Sequence, residues 1–298
     1  MNPDPESGCS YKYKELGNLV LDSCSEAPVK FIALTETWLW PYHSDAQVPI
    51  DGFNISRSDR KERRGGGVLL YSHVNYPISK VEKYDDSECE GLFVKFESIK
   101  LAIFVIYRPP DASGSNFKNC LSFTRACLAE HLDDSYKVCL TGDLNFPFIE
   151  WKEERILSGR AIDEQLAAQT FLQLMNELLL CQLVMEPTRG NNILDLFCTG
   201  DPDSVLAIEV SPTFLSDHHL VSVLIETPIT ELDQLGFRRV VAEGFKSLDF
   251  YHADYDSITQ DIAVFNWSHL EGQCTVEEYP EIFTSTLLKI CKKHTPTK

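Results

Sequence analysis

The chain has no Cys-x-x-Cys pair, and no histidine is spaced with its ten cysteines as a zinc ribbon requires. That pattern excludes the common thiolate metal sites. Cys139, Cys181 and Cys198 lie inside apolar runs and read as small buried hydrophobes, so a reduced, intracellular protein is expected. No run reaches the roughly 18 apolar residues that read as a membrane span, and no membrane partner is expected. Met1 to Ser7 has neither a basic start nor an apolar stretch, so no secretory signal is expected. Internal repeats and low-complexity tracts are missing as well, which excludes solenoid and fibrous classes. Bases are scarce: 27 Lys and Arg face 45 Asp and Glu, for a net charge of −18. Taken alone, this argues against nucleic acid, whose phosphates are held by Lys and Arg.

The scarcity of bases is not uniform. Arg57, Arg60, Lys61, Arg63 and Arg64 crowd together with Asp59 and Glu62 as the only acids among them. A basic loop can hold a phosphate chain on an acidic protein, and acids in a metal site also count toward the total. A solvated acidic surface remains the commoner meaning of such a balance. At 298 residues and 43% apolar content, the chain can build a substantial core as one large domain or two modest ones.

Apolar runs bounded by turn signals predict buried strands. They occur at Lys30 to Thr37, Val68 to Tyr71, Lys137 to Leu140, Ile193 to Thr199, Val205 to Val210 and Leu220 to Ile225. Gly91 to Glu97 and Leu101 to Tyr107 flank Ser98-Ile99-Lys100 as a hairpin. Helical spacing predicts helices over Tyr11 to Ser25, Asn116 to Leu132 and Ala161 to Cys181. Strands that alternate with helices but include a hairpin point to two sheets with helices outside. From about residue 229 the chain turns charged, with widely spaced aromatics, and reads as a helical tail. The expected divisions are an N-terminal segment over 1–28, a domain over 29–228 and the tail over 229–298.

Polar residues collect at the strand ends. Glu36 lies in Thr35-Glu36-Thr37, Tyr107 and Arg108 open Tyr107-Arg108-Pro109-Pro110, and Asp143 and Asn145 sit in Gly142-Asp143-Leu144-Asn145. Asp195 lies in Ile193-Leu194-Asp195-Leu196, and Ser216-Asp217-His218-His219 precedes the last strand. Each alone fits a turn or a solvated acid; together they suggest one polar site at the rim of a sheet. Carboxylates without thiolates suit Mg²⁺ or Mn²⁺. Glu36 and Asp217 are candidates for the metal's neighbourhood, and Asp143 for orienting or deprotonating water. His218 can donate to charge developing on phosphorus, with Asp195 fixing its tautomer. Asn145, Tyr107, Arg108, Arg60 and His219 are candidates for phosphate or substrate contact. The reaction class is metal-assisted phosphodiester hydrolysis.

With Gly65-Gly66-Gly67-Val68 and Thr35-Glu36-Thr37-Trp38-Leu39, these motifs in this order resemble the endonuclease/exonuclease/phosphatase superfamily. The version resembled most is the apurinic-type endonuclease of non-LTR retrotransposons, over roughly residues 30 to 227. The resemblance implies a four-layered α/β sandwich and a Mg²⁺-dependent, DNA-nicking enzyme. It implies Glu36 as a metal ligand supported by Asp217, Asp143 orienting the nucleophile, Asn145 on phosphate, Asp195 paired with His218 and Tyr107 beside the scissile phosphate. It also implies a nuclear location and a reverse transcriptase in a parent polyprotein, since the tail resembles the segment that precedes that enzyme.

One departure stands out. The family opens with a strand ending in an Asn near the metal, whereas Pro5-Glu6-Ser7-Gly8-Cys9-Ser10 has neither apolar strand nor Asn. Two alternatives are therefore carried: a phosphodiesterase or phosphatase of small or lipid phosphates, and an inactive remnant serving as a binding module.

Overall fold

Leu101 to Tyr107 reads Leu-Ala-Ile-Phe-Val-Ile-Tyr, with no polar alternation. Such a strand must be covered on both faces, and in the computed structural model all of it is buried. The structure describes residues 29–226 apart from 62–63, 87 and 159–160, together with 12–13, 15–17, 253–265, 267, 286–287, 289–291 and 293–295. Of the expected helix over Tyr11 to Ser25, residues 12–13 and 15–17 are described and are helical, whereas most of the expected tail, like Asn2, lies outside the described residues.

The strands are β1 (Phe31–Thr35), β2 (Phe53–Ser58), β3 (Val68–His73), β4 (Lys80–Asp85), β5 (Glu90–Phe96) and β6 (Leu101–Tyr107). Helix α1 (Gly114–His131) leads to β7 (Lys137–Asp143) and a small pair, β8 (Ile149–Glu150) with β9 (Arg155–Ile156). Helix α2 (Ile162–Glu177), β10 (Cys181–Gln182), β11 (Asp195–Thr199), β12 (Val205–Ser211) and β13 (Leu220–Ile225) follow. One sheet has the order β10-β11-β7-β6-β5-β4; another has β1-β3-β2, and β12 pairs with β13.

Three apolar clusters separate four layers. Phe104, Ile106, Leu140 and Leu196 of the large sheet meet Phe117 and Leu121 of α1 and Phe171 and Leu174 of α2. On the sheet's other face, Val94, Ile103, Val105 and Phe197 meet Val68 and Leu70 of β3, and Val210 and Val223 of β12 and β13 pack there too. The outer face of β3, Leu69 and Tyr71, packs with Tyr13 and Leu16 of the helical residues 12–13 and 15–17. This is the expected four-layered α/β sandwich.

Three details differ from expectation. The helix expected to run to Cys181 stops at Glu177, because the chain turns through Leu179 at φ 53° and Cys181 pairs in β10. Cys181 is consequently exposed rather than buried, whereas Cys139 and Cys198 are buried. Strands β2 and β4 were not anticipated. Their polar and charged residues obscure the pattern, and β4 lies at a sheet edge.

The chain divides into compact units at Leu235 and Gly236. In the second unit, α3 (Tyr255–Val264) is capped by Asp254, whose side chain accepts from Ser257 N, and Asp261 pairs with Lys293 and His294. Among the described residues no helix is long and apolar enough to cross a membrane.

Candidate active site

The sheet's register brings the acids together. β7 and β11 are antiparallel, with Asp195 directly opposite Asp143. β6 runs parallel to β7, with Val105 level with Thr141, and Arg108 N donates to Asp143 O at 2.9 Å. Tyr107 therefore ends its strand beside Asp143. Alternation turns Cys139 toward the inter-sheet core and Leu140 toward the helices, so Asp143 faces the same side as Cys139. Asn145 N donates to Asp143 Oδ1 at 3.1 Å, an Asx turn that fixes the carboxylate.

His218 arrives from the loop before β13. Its Nδ1 is 2.7 Å from Asp195 Oδ2, a pairing that places the hydrogen on Nδ1 and leaves Nε2 toward the site. Nε2 is 3.9 Å from Asp143 Oδ2, too far for a hydrogen bond. Ligand atoms of Asp143, Asp195 and His218 all lie within 4.8 Å of one another.

The electrostatics follow from this crowding. Asp143 is only 3% exposed. Burial first, and then the charge of Asp195 opposite, push its carboxyl up to about 7. The hydrogen bond that His218 donates to Asp195 raises the imidazole above its ordinary value. Burial, and then the bond to Glu36, hold the Tyr107 phenol well above its usual range.

The remaining expected residues fall in several places. Tyr107 Oη donates to Glu36 Oε1, joining the end of β6 to the end of β1. Glu36 itself has φ 51°. Asp217 points to Arg189 Nη2 at 2.6 Å; desolvation raises its carboxyl, but the bond to Arg189 and the charge of that guanidinium together hold it below the usual range. Asn145 is buried, and its side-chain amide donates to Arg108 O at 2.9 Å. His219 N donates to Thr188 O at 2.7 Å, and its side chain is partly exposed.

Arg108 and Arg60 are not at the surface. Arg108, 1% exposed, lies against Phe117 and Phe146 and donates to the carbonyls of Ala112 and Asn145. Arg60 is buried against Glu90, with Nη2 to Oε2 at 2.9 Å. Both positions make these arginines braces for the loops around the site, in place of the expected phosphate contact. The basic loop is largely neutralised: Arg57 pairs with Asp45 and Asp59, and Lys61 with Asp85. Arg63 lies outside the described residues.

Thr188 is a positioning residue that the sequence did not reveal. It is fully buried, and its Oγ1 accepts from Leu194 N at 3.0 Å and Asp195 N at 3.1 Å. With its carbonyl on His219 N, one threonine ties the start of β11 to the histidine loop. Only its place in Pro187-Thr188-Arg189, ahead of Asp195, hinted at it.

The family described as endonuclease-reverse transcriptase matches residues 101–222. No curated protein matches the chain significantly in sequence. Among solved structures, the 3′ phosphatase NExo from Neisseria, bound to a product DNA hairpin, is similar at TM-score 0.54 and 14% identity, over 72% of this chain and 95% of that one. An AP endonuclease from Archaeoglobus fulgidus is similar at TM-score 0.53 and 12% identity, over 72% and 94%. The AP endonuclease LMAP from Leishmania major is similar at 0.51 and 16%, over 75% and 85%. In its motifs, in its match over residues 101–222 and in its fold, the chain resembles the endonuclease/exonuclease/phosphatase superfamily.

Proposed function

We propose that the chain is a Mg²⁺-dependent phosphodiesterase that nicks DNA, as the endonuclease part of a non-LTR retrotransposon. The observation that carries this reading is the meeting of Asp143, Asp195 and His218 at the ends of strands, with Glu36 and Tyr107 alongside. The match to an endonuclease-reverse transcriptase family supports it, as does a fold shared with an enzyme bound to a DNA hairpin. The reading carries with it a nuclear location and a reverse transcriptase in the parent polyprotein.

In this proposal Asp143 orients the attacking water and accepts its proton. The hydrogen bond to Asp195 favours the protonated form of His218, which would carry a proton on Nε2 to donate to charge developing on the phosphate. Tyr107 and Asn145 flank the phosphate, and Glu36 holds the Tyr107 hydroxyl in place. The donor set fits a hard cation: it is carboxylate oxygen without thiolate, and the crowding that raises Asp143 is what a divalent charge relieves. Mg²⁺ or Mn²⁺, held by Glu36 with Asp217 supporting, would supply charge neutralisation at the phosphate.

The net charge of −18 and the neutralised basic loop favour a second reading, hydrolysis of a small phosphate ester. Supercoiled plasmid with Mg²⁺ distinguishes the two. Nicking by the wild type but not by an Asp143→Ala/His218→Ala double variant supports DNA. A folded wild type that leaves plasmid intact but hydrolyses inositol phosphates supports the second reading, and activity on neither removes both.

A further inference from the structure

Trp38 stands two residues beyond Glu36 and remains 45% exposed. Its backbone has φ 58°, a left-handed conformation that is a clear outlier for a bulky residue. Strain of this kind persists only where the surroundings impose it, and it clusters at ligand clamps. Here the glycine triad imposes it. Gly65, Gly66 and Gly67 have φ 91°, 71° and 87°. Trp38 N donates to Gly66 O at 3.0 Å, and Thr37 N to Gly67 O at 3.3 Å.

Side chains are excluded from this contact. A Cβ on Gly67 would lie 2.5 Å from Thr37 Oγ1. One on Gly66 would lie 2.5 Å from the Arg60 guanidinium, itself locked on Glu90. Bare backbone is therefore needed to hold the Trp38 turn, and the cost is not repaid by burying the ring.

The ring faces two partners of functional character. Its Nε1 is 3.4 Å from Glu36 Oε2, while the other oxygen of Glu36 accepts from Tyr107. The Arg64 guanidinium lies 5.1 Å from the ring centroid, in cation–π range. A flat exposed aromatic with a guanidinium over it, tethered to the candidate reaction centre, is the chemistry that takes a nucleobase and its phosphate. We propose that Trp38 and Arg64 form a nucleotide subsite, in which a base freed from its stack lies on Trp38 and a neighbouring phosphate is held by Arg64. The subsite deepens the DNA-nicking reading and rests on it for its ligand.

The test is fluorescence anisotropy of a labelled short single-stranded DNA, with the metal-free full chain in EDTA. Trp38→Gly suits the left-handed backbone, so its melting temperature should not fall, yet its affinity should drop about 5- to 150-fold. Trp38→Phe keeps a stacking face and should retain most of the affinity. Arg64→Ala should flatten the salt dependence by about one unit of slope. Undiminished binding by folded Trp38→Gly overturns the subsite, as does a wild type that binds no strand. Plasmid nicking is scored separately. A wild type that binds through Trp38 but nicks nothing leaves the subsite standing and sinks the endonuclease reading. A wild type that nicks as well as Trp38→Gly does the reverse.

Discussion

The His218 ring bridges two carboxylates that face each other across one β-ladder: Nδ1 is 2.7 Å from Asp195 and Nε2 is 3.9 Å from Asp143. A single planar group thus separates two like charges that the register would otherwise leave opposed. Asp195→Asn should keep the fold but release the tautomer, lowering turnover about 10²- to 10⁴-fold. Because the two residues act as a unit, Asp195→Asn/His218→Ala should lose little more than His218→Ala alone. Steady-state rates of the three variants on one phosphodiester check this, and additive losses would separate the pair.

Asp143 gives a pH signature. Its carboxyl in the folded protein, at about 7, lies above its ordinary 3.8. A raised acid favours the protonated folded state, so its contribution to stability is fully present below the unfolded value and is lost as pH rises through the folded one. In EDTA the wild type should lose stability between about pH 4 and 7 from this group. Asp143→Asn should flatten that loss and raise the melting temperature near neutrality while turnover disappears. Melting curves at pH 5 and pH 8 decide; an equal shift at both removes the claim.

Arg60 and Glu90 form a buried pair beneath the glycine triad. Glu90→Ala leaves the guanidinium buried without its partner and should cost about 3–5 kcal/mol in urea unfolding. Replacing both, as Arg60→Met/Glu90→Leu, should recover much of that loss, because apolar groups of similar volume need no partner. A double variant as weak as the single would point to the loop's shape rather than to the charge.

Mg²⁺ should bind the folded chain only. At a hundredfold excess over its dissociation constant it should add about 2.7 kcal/mol, reversed by EDTA. Glu36→Gln should abolish most of that gain while leaving the metal-free melting temperature nearly unchanged, since the amide oxygen can still accept from Tyr107. A full magnesium shift in Glu36→Gln would place the cation on other ligands.

Much of this architecture was legible in the chain, for identifiable reasons. β6 announces itself because a centre strand must be apolar on both faces, and the paired motifs around Asp143 and His218 carry side chains that are poor core material. β2 was hidden because Phe53 and Ile55 alternate with Asn54 and Ser56 and run into Arg57, a pattern that reads as a polar loop. The buried fates of Arg60 and Arg108 depend on Glu90, Phe117 and Phe146, partners too remote in sequence to be inferred. Thr188 and the strained Trp38 are likewise set by contacts, not by local pattern.

Gly142 precedes Asp143 with φ 134°, and a Cβ there would lie 2.0 Å from Ile106 O. No rotamer change relieves a clash between backbones, so β6 and β7 would have to part where one carries Tyr107 and the other Asp143. The site is therefore shut to variation from behind. Drift at position 142 cannot trade a little stability for altered geometry; it removes both together, whatever residues line the front.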